Sequence, residues 1–452
     1  MKKLVLFSVC VLLPLNLFAA DKVAPLLDQL KGVNLDKMSD TEKKEKDAQF
    51  SHVWKQLVEL GEPAAKEIRK QLETATTDNY FQLSAAMVLY QIEHEASHPE
   101  VLRVLQRTSI TDNAFQYFYL CHRIARARDD RVLPVLRRLL ANEKVVVYID
   151  KESPMLEPRK ICMYLYGVYG QSAISSLMEA CSDPAAIVRA NAASVLGYFG
   201  DDRPLFVLAD LLGRDTDERV RAAAANALGQ TDHLAVVESL TKGLSADINV
   251  NVRAACAFAL GEVQHEKCID GLALGINDTS PQVRQYAISS LEYIGKERCT
   301  EIVANRLAIE DDPGVRLQLI KALGLLGHKQ AMPALKEVTA KRSAEEAKIA
   351  AESMQRIDSV GPAAREPYPT MQGKKVSTTE LNKILKALYD KYGDGVDDAT
   401  KIIFLSAGKD DLPKLEDVRC RTLWLVNNDT LDRVSKVGKL IRMVKRKTRD
   451  MI

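Results

Sequence analysis

The dipeptide Val-Arg recurs along the middle of the chain at intervals of 32, 32, 31 and 32 residues. An acidic residue precedes each arginine by six positions, and in four of the five copies a Leu-Gly pair follows it. A period of this length is typical of a solenoid, in which each unit buries its apolar face against its neighbours. The copies are Val188-Arg189, Val220-Arg221, Val252-Arg253, Val283-Arg284 and Val315-Arg316.

Each repeat unit carries the pattern of two helices. Between residues 218 and 230 the apolar side chains fall at helical spacing, which predicts a helix, here called helix B. Gly229 ends the apolar stripe, Thr231 and Asp232 predict a turn, and residues 234 to 244 predict a second amphipathic helix, helix A. Only 6% of the residues are aromatic and 46% are hydrophobic, a composition that suits close-packed helices. The sequence therefore predicts an all-α protein.

Weaker copies extend the array toward the N-terminus, where Gln82 and Gln116 stand in the place of the repeat arginine. The spacing predicts about nine units, and an apolar stretch at 143–158 interrupts the array as an insertion. This insertion is either a binding loop or a short strand pair folded over the end of a hairpin.

The predicted regions are a signal peptide at 1–20, an N-terminal helix and charged linker at 21–49, a solenoid at 50–357 that is degenerate over 50–170 and regular over 171–357, a Pro/Gly linker at 358–376, and a small C-terminal helical region at 377–452.

The first twenty residues follow the pattern of a secretory signal. Lys2 and Lys3 precede an apolar run, and Phe18-Ala19-Ala20 resembles a cleavage site before Asp21. An uncleaved anchor is the alternative, because Phe18 is bulky where a small residue is preferred. No later stretch reaches the ~20 apolar residues of a membrane helix, so we expect a periplasmic or secreted protein without a transmembrane segment after cleavage near Ala20.

The charge balance argues against a nucleic-acid-binding protein, and the cysteine content argues against a disulfide-rich protein. Removal of Lys2 and Lys3 leaves 61 basic and 61 acidic residues, so no overall field favours nucleic acid. Seven cysteines remain outside the signal, too few and too scattered for a disulfide framework. Cys268 and Cys299 share a repeat position, and helix spacing places them too far apart for a bridge. We expect reduced cysteines, and those two to be buried as small hydrophobes.

The repeated string of an acid, Val-Arg, alanines and Leu-Gly resembles the HEAT-like repeats of the phycobilisome-lyase type. The resemblance is good over 171–357 and weak over 50–170. It implies a right-handed α-solenoid whose B helices line the concave side, and a protein-binding function in most members. One enzymatic branch, the deoxyhypusine hydroxylases, binds iron through a His-Glu pair after the repeat arginine. The chain has Ala222-Ala223 and Ala254-Ala255 there, which argues against that chemistry.

The repeated acids and arginines form a ladder that could bind an anion or hold the stack together. We favour the structural role, in which an acid before helix B and an arginine inside it bond each other and the adjoining unit. The ladder residues are Asp183, Arg189, Asp215, Arg221, Asp247, Arg253, Asp278, Arg284, Glu310 and Arg316. His233, His265 and His328 occupy the same position of the turn in three different units. These turns are separate and solvated, which argues against a shared metal site. We expect no metal and no cofactor.

A basic amphipathic helix is predicted near the C-terminus, with its apolar stripe opposite eight lysines and arginines between Arg433 and Arg449. This face could contact an anionic lipid or protein surface, or it could be the solvated outside of a capping helix. We favour the second interpretation.

On helix B the apolar stripe leaves four positions per unit that should face the concave side, namely the residues two before and two, five and nine after the repeat arginine. We call them the inner positions. Aromatic and amide residues there are typical of a protein-binding surface, although the rings could also merely cover gaps between alanine-rich helices. The candidate binding residues are Tyr198, Asn226, Phe258, Tyr286, Ser289 and Tyr293.

These observations predict an exported scaffold or adaptor that binds another protein or peptide and catalyses no reaction. An enzyme or enzyme subunit of the bilin-lyase or oxidoreductase type is the first alternative, by family analogy alone. A structural envelope component anchored by the basic C-terminal helix is the second. No convergent acid, base and nucleophile occur in the sequence, which favours the scaffold.

Overall fold

The computed structural model describes residues 21–33, 39–74, 78–144, 158–199, 201–231 and 233–362. These residues contain helices and turns and no strand. Contacts between Cα atoms divide the chain into two units that meet at Gly170 and Gln171. Unit 1 ends at Gly170, and unit 2 begins at Gln171. The predicted signal peptide, most of the insertion and the C-terminal region lie outside the described residues.

Unit 1 contains a helix over residues 21–28 (α1) and seven more helices. Three A–B hairpins follow α2, namely α3–α4, α5–α6 and α7–α8. The bounds are α2 Asp40–Leu60, α3 Glu62–Thr74, α4 Asn79–Glu93, α5 His98–Arg107, α6 Ala114–Arg126, α7 Leu133–Leu139 and α8 Pro158–Tyr169.

Unit 2 contains six A–B hairpins, in which each even-numbered helix is a B helix. The bounds are α9 Ile174–Ala180, α10 Ala186–Phe199, α11 Leu205–Arg214, α12 Glu218–Gly229, α13 Val236–Ala246, α14 Val250–Val263, α15 Cys268–Gly275, α16 Pro281–Ile294, α17 Glu297–Ile309, α18 Pro313–Leu326, α19 Met332–Lys341 and α20 Ala344–Val360. The described residues thus form nine hairpins, the number that the repeat spacing predicts. The expectation of an all-α solenoid of helix hairpins is confirmed.

The repeat residues explain the packing of unit 2. The valine before each arginine and the leucine seven residues after it are buried in all five copies. Full burial of one such side chain stabilises a fold by about 1.5–3 kcal/mol, so the periodic pair supplies an apolar contact at every layer. In each layer of unit 2, the B helix contacts the next B helix more extensively than the A helix contacts the next A helix. The B row is therefore the inner side of unit 2.

The repeated glycine brings neighbouring B helices together. Gly197 and Gly261 lie inside α10 and α14. A Cβ atom on Gly197 would lie 2.6 Å from the Cα atom of Ala227 in the next B helix, and one on Gly229 would lie 2.8 Å from the Cα atom of Ala259. Only glycine permits such a close approach of two backbones.

Candidate functional site

The ladder residues lie between the layers of unit 2, where each arginine joins two units. Arg221 donates from Nε and Nη2 to the carboxylate of Asp247 in the next unit, at 2.7 and 3.0 Å. Its Nη1 donates to the backbone carbonyl of Asp215 in its own unit at 3.0 Å. The same arrangement links Arg189 to Asp215, Arg253 to Asp278 and Arg284 to Glu310. The fork of the guanidinium thus meets both oxygens of one carboxylate.

The structure corrects the pairing expected from the sequence. We expected Arg253 to bond the side chain of Asp247, six residues before it. Arg253 instead bonds only the carbonyl oxygen of Asp247, at 2.9 Å, and its carboxylate partner is Asp278. The carboxylate of Asp247 is directed toward the preceding unit, where it accepts from Arg221. Each ladder carboxylate also accepts a backbone N–H two residues later, as Asp247 does from Asn249.

The ladder ends on a residue that the repeat pattern did not identify. The other ladder arginines bond an acid 25 or 26 residues later in the sequence, but Arg316 has no acid at that separation. Its Nε donates instead to Glu346 at 2.7 Å. Glu346 also forms the capping box of α20 with Ser343. The spacing of Ser343 and Glu346 could have revealed the cap, but not its second bond to the ladder.

Burial and hydrogen bonding have opposite effects on the pKa values of the ladder carboxylates. Burial alone would raise the pKa of Asp278, but the bonds from Arg253 and from the N–H of Ser280 outweigh it and hold the pKa below its usual value. The pKa values of Asp215, Glu310 and Glu346 are lowered by the same balance of effects. These groups are ionised, and every arginine from Arg189 to Arg316 already has a carboxylate partner. The ladder is a structural feature.

The predicted inner-face residues differ in exposure along unit 2. Phe258, Tyr286 and Tyr293 are 45%, 42% and 51% exposed, and Ser289 is also exposed. Tyr198 and Asn226 are half-buried, and the ring of Tyr198 meets Phe199 edge-on at 6.3 Å. The exposed part of the candidate site therefore lies on α14 and α16. We name Phe258, Tyr286 and Tyr293 the aromatic patch.

Ring packing and hydrogen bonds connect the helices that carry the aromatic patch with their neighbours. The rings of Phe258 and Tyr286 meet edge-to-face, with centroids 6.3 Å apart and an angle of 81°. Gln318 on α18 donates to the hydroxyl of Ser289 and to the carbonyl of Gln285, both at 2.9 Å. Sequence analysis missed Gln318, although it occupies one of the four inner positions of its own unit. Ser289 therefore supports the patch by orienting neighbouring helices.

The patch lies beside one interruption of the repeat. Glu292 stands in α16 where the other copies have glycine. α16 and α18 are the most loosely packed pair of neighbouring B helices in unit 2. The helix that carries Tyr286 and Tyr293 is therefore also the one that follows the repeat least closely.

The other residues that sequence analysis singled out have structural roles. Nδ1 of His233 accepts the N–H of Ala235, and Nδ1 of His265 accepts that of Lys267, both at 3.1 Å, so these rings cap turns. Within the described ranges, no three His, Cys, Asp or Glu side chains converge as metal ligands would. Cys268 and Cys299 are fully buried, as expected.

The alignment of the N-terminal copies needs one correction. Phe115 occupies the place of the buried repeat valine but is 46% exposed. Counted from the N-cap, the repeat arginine is the fourth residue after Asp217 in α12, and the fourth residue after the N-cap Asn113 is Tyr117. The copy at Gln116 is therefore shifted by one residue. Gln116 is buried and bonds the hydroxyl of Ser84 on α4.

Each described helix is too short or too polar to span a lipid bilayer. This finding concerns the described ranges alone.

Comparison with known proteins identifies the repeats. Residues 174–261 and 269–355 match the family of HEAT repeats, and residues 252–278 match the PBS lyase HEAT-like repeat. No curated protein sequence matches the chain significantly.

Solved structures resemble the chain in fold, at low identity. A complex of Kap95p with RanGDP is 12% identical, with a TM-score of 0.39, covering 94% of this chain and 72% of that chain. The complex of CpcE and CpcF of phycocyanin lyase from Nostoc sp. PCC7120 is 20% identical, with a TM-score of 0.28, covering 33% of this chain and 98% of that chain. Human deoxyhypusine hydroxylase with glycerol is 19% identical, with a TM-score of 0.23, covering 52% of this chain and 97% of that chain.

Proposed function

We propose that this chain, whose residues 174–261 and 269–355 match HEAT repeats, is an exported scaffold or adaptor that binds another protein or peptide and catalyses no reaction. The observation that carries the proposal is the aromatic patch on the inner row of unit 2. Three large rings at 42% to 51% exposure lie on two neighbouring helices. Clustered exposed rings are typical of protein-binding surfaces, because aromatic side chains bury much area at low entropic cost.

The chemistry around the patch supports a protein partner. Among the inner positions of α12, α14, α16 and α18, only Arg219, Glu262 and Lys321 are charged. The remaining polar residues are amides and a serine, which can bond a peptide backbone or neutral side chains. Such a surface offers neither the basic residues that a polyanion needs nor the acid and base of a catalytic site.

The first experiment locates the partner on the surface. Replacement of Tyr293 by the photo-cross-linker benzoylphenylalanine keeps an aromatic ring in the patch, and irradiation in the native compartment should capture the partner. The same cross-linker in place of Phe206, which is 83% exposed on α11, is the control. Capture from position 206 with the same yield would contradict binding through the inner row.

The second experiment measures the contribution of the rings. Tyr286→Ala combined with Tyr293→Ala should weaken binding of the purified captured partner by ~2 kcal/mol or more, about thirtyfold, because such rings act as hot spots. Circular dichroism and the unfolding midpoint should stay near the wild-type values, and Phe206→Ala should bind normally. Equal affinity in the double variant would contradict the proposal and direct attention to residues 145–157 and the basic C-terminal helix.

Export is a separate part of the proposal and rests on the sequence of the first twenty residues. N-terminal sequencing of the mature protein should begin at Asp21 or within about two residues of it. Recovery of intact Met1 in the soluble fraction would contradict processing.

Simple measurements distinguish the two alternatives from a scaffold. A lyase or oxidoreductase subunit that holds a pigment or metal would show visible absorbance or a stoichiometric metal after purification. An envelope component held by the basic C-terminal helix would associate with membranes in a salt-sensitive manner.

A further inference from the structure

One side of α16 presents two rings separated by a polar interval. Gln282, Tyr286, Ser289 and Tyr293 are all exposed and follow one another at helical spacing. We name these four residues the α16 stripe. The two tyrosines are separated by about 10.5 Å along the helix axis, since each residue adds about 1.5 Å. A ligand that contacts both rings must therefore present two apolar groups about 10 Å apart.

Phe258 on α14 completes one end of the stripe. Its ring and that of Tyr286 stand at 81° to each other, so the two rings form a corner. The side chains are 45% and 42% exposed, which leaves the corner accessible. A compact apolar group placed there would contact two rings at once.

The polar side chains of the stripe can donate hydrogen bonds to a ligand. Nε2 of Gln282 lies 3.5 Å from Oδ1 of Asn251, which is long for a hydrogen bond, and the amide group has two N–H bonds. The hydroxyl of Ser289 accepts a bond from Gln318, and a hydroxyl that accepts can still donate. Tyrosine hydroxyls can donate as well. The stripe therefore suits a ligand that is rich in carbonyl acceptors.

We propose that the α16 stripe and Phe258 bind a proline-rich segment of the partner protein in the polyproline II conformation. This inference rests on the proposed function, because it specifies the kind of peptide that the aromatic patch recognises. A polyproline II helix repeats every three residues over about 9.3 Å, close to the separation of Tyr286 and Tyr293. One proline fits the corner between Phe258 and Tyr286, and a proline three residues away contacts Tyr293.

The hydrogen-bonding chemistry of such a ligand also matches the stripe. A polyproline II helix has no internal hydrogen bonds, so its carbonyl groups need donors from outside. Proline has no N–H, so the ligand demands few acceptors in return. The segment is also stiff before it binds, and less conformational freedom is lost on binding.

Other peptide conformations fit these residues less well. An amphipathic helix docks on a continuous apolar groove. The inner positions of α14 and α16 include no leucine, isoleucine or valine, and Ser289 lies between the rings of α16. A peptide that binds as an added β-strand needs the edge of a sheet, and the described residues form no strand.

The test uses the full chain and fluorescein-labelled decaproline of L-proline, followed by fluorescence anisotropy. Decaproline of D-proline is the ligand control, because it has the same composition and the opposite helical hand. We expect the L-peptide to bind at least about tenfold more tightly than the D-peptide. Tyr286→Ala and Tyr293→Ala should each weaken binding about tenfold, since each removes a ring contact. Phe206→Ala, which removes an exposed ring from α11, should bind normally.

Two further variants test the donors and the ring separately. Gln282→Met keeps the size of the side chain and removes its N–H groups, so binding should weaken about threefold. Residue 282 is exposed, so the unfolding midpoint should stay at the wild-type value. Tyr293→Phe keeps the ring and should lose less affinity than Tyr293→Ala.

Three results would overturn the proposal: no binding of L-decaproline, equal binding of the D-peptide, or unchanged affinity in both alanine variants. Tighter binding of a neutral alanine–glutamine peptide with leucines at helical spacing, lost in the same two variants, would overturn it in favour of a helical partner. None of these results bears on the proposed function itself. That function fails only if the double tyrosine variant binds the captured partner as tightly as the wild type does.

Discussion

At the scale of single residues, the repeat arginine is the main polar link between layers of unit 2. One edge of the guanidinium bonds the loop of its own unit, and the other edge bonds a carboxylate of the next unit. The side chains of Arg253 and Asp278 are only 12% and 9% exposed. Loss of one partner from such a pair leaves the other charge poorly solvated, so the arginine and the acid depend on each other.

Arg253→Ala should lower the free energy of unfolding by about 1–3 kcal/mol, because Asp278 loses its charged donor inside the stack. Urea denaturation measures this change. The matched control is Arg219→Ala, since Arg219 pairs with Asp217 at 63% side-chain exposure and such surface pairs contribute about 1 kcal/mol or less. Equal losses in the two variants would show that the ladder position has no special role.

At the scale of helices, the repeat glycine sets the distance between B helices. In α14 and α18 the residue that faces the glycine is Ser290 or Ser353 of the next B helix. Ser290 also donates to the carbonyl of Ala257 at 2.9 Å, which ties the two helices further. Where Glu292 replaces the glycine, α16 and α18 pack loosely, and Tyr286 and Tyr293 of α16 are exposed. The interruption of the repeat thus lies beside the candidate binding surface.

Gly229→Ala should destabilise the protein by about 1–3 kcal/mol, because the added Cβ would overlap Ala259 and force the helices apart. Gly213→Ala is the control. Gly213 also lies in a helix, but a Cβ there meets nothing within 4 Å, so this change should stabilise the protein by about 0.5–1 kcal/mol. Thermal or urea unfolding measures both. A stabilising effect at Gly229 would refute the role of the glycine in close packing.

The helices and their apolar faces could be predicted from the sequence because each depends on neighbouring residues. Helix α12 begins at Glu218, as the pattern predicted, and ends at Gly229, one residue before the predicted end. The pairing of the ladder could not be predicted, because in a periodic array an arginine has equivalent acids six residues before it and about 26 after it. The stacking of the layers decides which of these two acids bonds the arginine. The same limit applies to Gly229, whose contact Ala259 is 30 residues away.

At the scale of the whole molecule, the regularity of the repeats decides which positions the sequence can assign. In unit 2 the regular repeats fix which positions face inward, and the sequence pointed to the aromatic patch. In unit 1 the copy at Gln116 is shifted by one residue, so Phe115 was assigned to the position of a buried valine although it is 46% exposed.

The ladder also makes the stability of unit 2 depend on pH. The pKa values of Asp215 and Asp278 in the folded protein lie below the ordinary 3.8, and those of Glu310 and Glu346 lie below the ordinary 4.5. A carboxylate with a lowered pKa stabilises the fold above its unfolded pKa, and this contribution is lost as pH falls through the folded pKa. We therefore expect full ladder stability above about pH 5 and a progressive loss below about pH 4.

Arg253→Ala separates this effect from general acid denaturation. Without Arg253, only the bonds from the N–H of Ser280 and the hydroxyl of Thr279 oppose the effect of burial, so the pKa of Asp278 should rise above its value in the wild type. Protonation then removes a buried charge that has no charged partner. The difference in unfolding free energy between wild type and Arg253→Ala should be largest at pH 7 and should shrink toward pH 3. Urea unfolding at pH 7, 5 and 3 measures that difference. A difference that stays constant with pH would mean that the arginine stabilises unit 2 through its packing and its carbonyl bonds, not through the charge of Asp278.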